Sequence, residues 1–290
     1  LGALDRAEVF YRRALTAYQG APERGVVGVA TAFHGLSRVL DERGQLDEAE
    51  AMCRAALELR EKRFGKSALV VAESLNLLAM LQRRKGELDE AERLYLRALA
   101  IHEAIEGKDH PNLATTLTNL GVLYTDQGAH AKAGAVLRRA AALLEAREGP
   151  PDAQLASALD ALGTHHASMG EGALAIEAAR RALAIYEELL GPTHPKLALS
   201  LNNLATKLLR SEETHPEAEA LLRRAIGLSG ELGAGLNVTR ILLNLAALRL
   251  AANDLDEGEA LAKRAHDLAR ARHGADHPDT AQALVVLSEV

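Results

Sequence analysis

Hydrophobic and polar positions alternate along the chain with helical, not strand, periodicity. Between residues 68 and 85 the apolar residues Val71, Leu75, Leu78 and Leu81 fall at i, i+4, i+7 and i+10. Between 89 and 106, Ala91, Leu94, Tyr95, Ala98, Leu99 and Ile101 form a second such stripe. Each pattern predicts an amphipathic helix that buries one face. The couple then recurs. Leu4-Asp5-Arg6-Ala7-Glu8, Leu46-Asp47-Glu48-Ala49-Glu50 and Leu88-Asp89-Glu90-Ala91-Glu92 begin 42 residues apart. An alanine column (Ala14, Ala56, Ala98, Ala140, Ala182, Ala225, Ala265) and a leucine column (Leu36, Leu78, Leu120, Leu162, Leu204, Leu245, Leu287) keep the same beat.

Two glycine columns punctuate the helices. Gly2, Gly44, Gly86, Gly128 and Gly170 follow the first helix of each period, here termed helix A. Gly65, Gly107, Gly149, Gly191, Gly233 and Gly274 follow the second, helix B. A chain leaving a helix through left-handed backbone space favours Gly there, and Asn253 stands at one such position as the next best residue. Asp109-His110-Pro111, Thr193-His194-Pro195 and Asp276-His277-Pro278 predict helix starts, with Pro in the first turn and Asp or Thr as cap.

The turns are short, so neighbouring helices run antiparallel, and each pair must stack on the next to bury its stripe. The predicted pairs lie near 26–64, 68–106, 111–148, 152–190, 195–232 and 236–273, with half repeats at 1–20 and 278–290. The fold class expected is all-α, a right-handed α-solenoid forming a single array over 1–290. Small residues such as Gly121, Gly163, Ala79, Ala205 and Ala246 mark close helix crossings. Half repeats at both ends suggest a piece of a longer protein, with apolar ends that could self-associate end to end.

Composition narrows the function. The formal charge is −6 and no basic stripe is evident, which argues against nucleic-acid binding. Cys53 alone cannot form a disulfide within the chain and reads as a small core residue. No apolar run is long enough to span a membrane and no signal peptide is visible, so the expected setting is cytoplasmic.

The stretches Leu201-Asn202-Asn203-Leu204-Ala205, Asp89 to Ile101, and Gly107-Lys108-Asp109-His110-Pro111 resemble the tetratricopeptide repeat, in the 42-residue variant of kinesin light chains and many bacterial proteins. The resemblance covers essentially the whole chain. It implies a right-handed superhelix whose A helices line a concave groove that holds a peptide. In some relatives, asparagines just before the column leucine grip ligand; the matching positions here are Asn119, Asn203 and Asn244. The same position holds Gly35, Leu77 and Ala161 in other repeats, so the ladder is discontinuous. The preceding position contributes His34, Asn76, Asp160 and Asn202.

No nucleotide loop, nucleophile elbow or Cys/His pairing occurs, so neither an enzyme nor a cofactor is expected. His165-His166 and the His-Pro turns lack metal-ligand spacing. Asp47-Glu48 and Asp89-Glu90 read as first-turn charges that favour the helix dipole and cap the helix. Within the A helices, ten basic residues (Arg38, Arg43, Arg83, Arg84, Lys85, Lys196, Lys207, Arg210, Arg240, Arg249) exceed six acidic ones (Asp41, Glu42, Glu73, Asp126, Asp152, Asp160), a net of +4. That excess favours an acidic ligand.

The leading expectation is a non-catalytic scaffold binding a protein or peptide in the groove. The expected contacts are Asn76, Thr115, Asn119, Asn202, Asn203, Arg210, Arg240 and Asn244. The alternative is the sensor arm of a larger bacterial signalling protein, fused to a nucleotide-driven switch or a caspase-like peptidase.

Overall fold

The computed structural model describes residues 3–19, 26–195, 197–229, 238–274 and 278–288. Gly2, Lys196, Gly233, Asp276 and His277, all invoked above, lie outside them.

The described residues contain helices and no strand. They divide into two compact units, 1–148 and 149–290. The first unit holds α1 (Ala3–Gln19), α2 (Val26–Glu42), α3 (Leu46–Phe64), α4 (Leu69–Lys85), α5 (Leu88–Glu106), α6 (Leu113–Asp126) and α7 (His130–Glu145). The second holds α8 (Ala153–Ser168), α9 (Gly172–Leu190), α10 (Leu197–Leu208), α11 (His215–Ser229), α12 (Val238–Ala251), α13 (Leu255–His273) and α14 (Pro278–Leu287). Within each unit every helix packs on the next, forming a stack of helical pairs. A-to-A contacts (α2 with α4, α4 with α6, α8 with α10, α12 with α14) join successive pairs.

The alanine column makes this stacking close. Ala56, Ala98 and Ala140 in the first unit, and Ala182, Ala225 and Ala265 in the second, are fully buried. Leu36, Leu78 and Leu120 pack with equal burial. Each buried leucine contributes roughly 1.5–3 kcal/mol of transfer free energy. At Gly163 a Cβ would come within 3.0 Å of the Ala175 carbonyl and 3.1 Å of Lys207 Cε, so the α8 crossing is tighter than a side chain ordinarily allows.

The two glycine columns differ in conformation. After helix A, Gly86 adopts φ 85°, ψ 2°, the left-handed helical region, and Asn253 takes its place in α12's turn with φ 62°. After helix B, Gly107 adopts φ 92°, ψ 161°, a region essentially confined to glycine. This is why Asn substitutes in the first column and not in the second.

Two expectations are corrected. Asp109 does not cap α6: that helix starts at Leu113, two residues after Pro111, without a side-chain cap. Asp47-Glu48 and Asp89-Glu90 lie in first turns but make no capping hydrogen bond. Asp47, Glu48 and Glu90 form ion pairs instead (Lys85 to Asp47 at 2.6 Å, Arg12 to Glu48 at 2.7 Å, Arg93 to Glu90). Capping by Asp does occur at Asp152 and Asp254. α10 stops at Leu208, short of α2, α4, α6, α8 and α12. The period supplies Glu212 where glycine is needed. The chain therefore closes through a 3₁₀ turn, Glu212–Thr214, whose Thr214 hydroxyl donates to the carbonyls of Leu208 and Ser211.

Ion pairs repeat with the helices. Arg97 reaches back from α5 to Glu61 and the Lys66 carbonyl, Arg139 from α7 to Glu103 and the Lys108 carbonyl, and Arg224 from α11 to Glu187 and the Pro192 carbonyl. Each strap joins one helix B to the preceding one. A second series joins the end of a helix A to the first turn of the preceding helix B: Arg43 to Asp5 and Glu8, Lys85 to Asp47 and Glu50.

Candidate functional site

The residues expected to face a ligand lie along the A helices, Thr115 and Arg240 in first turns and Arg210 two residues past the end of α10, and their environments differ. Thr115, Arg210 and Arg240 are exposed; Asn76, Asn119, Asn203 and Asn244 are half-buried; Asn202 is buried at 2%. Asn202 is thus a wall residue, not an open contact. Its Oδ1 accepts from Asn244 Nδ2 at 2.9 Å, which ties α10 to α12. In the first unit Asn76 Nδ2 donates to Thr116 Oγ1 at 2.8 Å, tying α4 to α6. Arg210 donates to the Ala167 carbonyl at 2.8 Å.

The excess of positive charge on the A helices is compensated locally. Arg43, Arg83, Arg84, Lys85 and Arg249 form ion pairs with Asp5, Asp126, Asp41, Asp47 and Asp254 among others. Lys207 is buried beside Asp160, and Arg210 is bonded as above. Arg38 and Arg240 are exposed. Counting over the A helices alone could not show this for Arg43, Lys85 and Arg249, whose partners Asp5, Asp47 and Asp254 lie outside those helices.

One repeat position carries a polar signature that the asparagine search only partly caught. His34, Asn76 and Asp160 occupy the same place in their A helices, spaced by multiples of the 42-residue period. Each has a buried side-chain atom without a hydrogen-bond partner: His34 Nδ1, Asn76 Oδ1 and Asp160 Oδ1. Burial pulls the His34 imidazole down to about 4, with Arg60 and Arg38 acting in the same direction. Burial pushes the Asp160 carboxyl up to about 6, opposed by the Lys207 charge and a hydrogen bond from Asn203. Lys207 is lowered by burial, against the attraction of Asp160. Tyr186 of α9 is pushed up to about 12 by burial and by Asp160. Asp160, Tyr186, Asn203 and Lys207 therefore form one polar cluster among α8, α9 and α10. The sequence signal for it was the repeat column itself, read at His34 and Asn76.

Other candidate chemistry resolves structurally. His165 is buried at 5%, and His166 Nδ1 lies 2.5 Å from Glu171. Among the described residues no group of three or more His, Cys, Asp and Glu side chains is placed to hold a metal ion, and no helix is long and apolar enough to cross a membrane. Cys53 is fully buried, its thiol pushed up to about 12 by burial. A pocket of about 490 Å³ lies at the Arg97 strap, between Glu61, Lys66 and Ala104, and contains no candidate residue.

Comparison with solved structures agrees with this architecture. The chain is similar to BtubC (BKLC) from P. vanneervenii, at 23% identity and a TM-score of 0.55, over 96% of this chain and 95% of that one. It is similar to the nearly identical kinesin-light-chain-type repeats of Podospora anserina, at 20% identity and a TM-score of 0.54, over 73% and 99%. A Rap protein complexed with Competence and Sporulation Factor aligns at 16% identity and a TM-score of 0.66, over 98% and 85%. At these identities the likeness concerns the fold. No curated protein sequence matches significantly. Family models described as tetratricopeptide repeat match residues 29–67, 70–146, 154–229 and 237–290, which together span most of the chain. With the periodic helix pairs and their buried alanine column, this places the chain in the tetratricopeptide repeat family, whose arrays are protein-binding scaffolds.

Proposed function

We propose that the chain is a non-catalytic scaffold that holds an extended or helical segment of another protein against the A helices of its units. In the first unit the contacts are Asn76, Thr115 and Asn119; in the second they are Asn203, Arg210, Arg240 and Asn244. The observation that carries this reading is the polar row along the A helices, with Thr115, Arg210 and Arg240 exposed and Asn76, Asn119, Asn203 and Asn244 half-buried. Such carboxamides offer a donor and an acceptor to a ligand main chain, each hydrogen bond contributing about 0.5–1.5 kcal/mol. Part of the polar row is already engaged within the protein, as at Asn202 and Asn244, which holds the A helices in register for the remainder. That a Rap protein of similar fold is complexed with Competence and Sporulation Factor supports the general mode.

Peptides selected from a display library against the full chain test the proposal. Their affinity should fall about tenfold or more in Asn76→Ala or Asn203→Ala, about the 1.4 kcal/mol of one good hydrogen bond. Arg93→Ala, exposed on α5, should leave affinity unchanged. If Arg93→Ala abolishes binding while the asparagine variants retain it, the ligand lies on the helix-B side and the reading fails.

A further inference from the structure

The repeat position five residues before the column leucine forms an exposed row. In the second unit it reads Ser157, Leu199, Arg240 and Gln282, one residue from each of α8, α10, α12 and α14, and all four are exposed. Leu199, 40% exposed, is the one apolar side chain among them. Arg240 makes no ion pair or hydrogen bond among the described residues. The other cations of α10 and α12 are engaged within the protein. Lys207 is buried with Nζ 3.2 Å from the Asn203 carbonyl, and Arg249 pairs with Asp254 at 2.5 Å. Neither α10 nor α12 contains an acidic residue. The charge that this surface presents is therefore that of Arg240, and a carboxylate complements it. A single exposed leucine is ordinary on a protein surface. A leucine and an unneutralised cation one repeat apart, each four residues before a half-buried asparagine (Asn203, Asn244), form a pattern.

The spacing of the row restricts the ligand. α10 and α12 touch through Asn202 and Asn244 at 2.9 Å, and helices in contact lie about 8–10 Å apart. Leu199 and Arg240 occupy equivalent places on the two helices, so they are offset by about that distance. A main chain can use the asparagines only if its own N–H and C=O are free, and inside a helix they are not. A segment in polyproline II conformation keeps them free. It rises about 3.1 Å per residue and returns a side chain to the same face every third residue, about 9 Å on. A flat strand returns one after about 6.6 Å, short of the helix spacing.

We propose that the second unit selects an extended segment in which an apolar residue and an Asp or Glu stand three positions apart. The apolar side chain packs on Leu199 and the carboxylate meets Arg240. These two residues determine specificity, while the asparagines hold the main chain. The inference rests on the scaffold reading for the binding surface and adds the sequence that this surface prefers. In the first unit Glu73 stands in the same row, 3.3 Å from Arg60, so that unit does not share the preference.

The test is an array of short synthetic peptides in a Ser and Gln background. Each carries one Leu and one Glu, in either order, at separations from one to eight residues, and is titrated with the full chain. Affinity should peak at a separation of three. Replacing the peptide's Glu by Lys should weaken binding about threefold or more at low salt, with the difference shrinking as salt rises, because both charges are exposed. Arg240→Glu should reverse the preference, so that the Lys peptide binds better. Leu199→Ser should remove the preference for Leu and leave that for Glu. Both residues are exposed, so neither variant disturbs a packed core. A profile flat in separation, or one that peaks at seven as a helical ligand requires, overturns the proposal. So does a charge preference that Arg240→Glu leaves unchanged. If the profile is flat while Asn203→Ala still weakens library-selected peptides, the scaffold reading stands and this inference falls. If Arg240→Glu reverses the preference while the asparagine variants bind as the parent does, this inference stands and the asparagines are removed from the contacts.

Discussion

Asn244 Nδ2 donates to Asn202 Oδ1 at 2.9 Å across a sequence separation of 42 residues, one full period of the array. Because Asn202 is only 2% exposed, its carboxamide depends on that partner. Asn244→Ala should therefore destabilise the second unit by about 1–3 kcal/mol, the cost of leaving a buried acceptor unmet. Urea denaturation of Asn202→Ala, Asn244→Ala and the double variant should show coupling of at least about 0.5 kcal/mol. Additive losses would mean the two amides do not act together.

The glycine columns predict unequal tolerance. Gly86 sits in left-handed helical space that Asn253 already occupies elsewhere, so Gly86→Asn should cost well under about 1 kcal/mol. Gly107, at φ 92° and ψ 161°, is in a region where a side chain costs about 1–3 kcal/mol. Thermal melts of the two variants should separate accordingly, and equal melting would contradict the assigned conformations.

The units should respond to acid in opposite senses at two named groups. His34 is held at about 4, below its usual 6.5, so the folded state binds fewer protons than the unfolded chain between those values. Its contribution to stability is lost as pH falls through that window. Asp160 is raised to about 6 from its usual 3.8, so the folded state binds more protons between them and its contribution grows as pH falls. Hydrogen exchange corrected for intrinsic rates should show acid loosening α2 less in His34→Gln than in the parent. Acid should tighten α8 less in Asp160→Asn. A variant that tracks its parent removes that residue from the account.

Much of the fold was legible in the period. The helix expected from Ala68 to Lys85 is observed from Leu69 to Lys85, and the alanine column from Ala56 to Ala265 is buried as its spacing required. Local chemistry was less legible where a partner comes from another repeat. Lys85 bonds Asp47 and Arg43 bonds Asp5, each 38 residues away on a helix B, so a tally confined to the A helices left out the carboxylates that neutralise them. The early end of α10 was visible only as a 43-residue step between Ala182 and Ala225. The state of Asp160 depends on burial and on Asn203 and Lys207 together, which no single repeat displays.

Site-specific photo-crosslinking tests the central claim most directly. A photoreactive residue placed at exposed Thr115 or Arg240, on A helices, or at exposed Arg93 or Lys263, on B helices, is irradiated with a library-selected peptide. The account predicts covalent capture from position 115 or 240 and none from 93 or 263. Capture confined to 93 or 263 would contradict it.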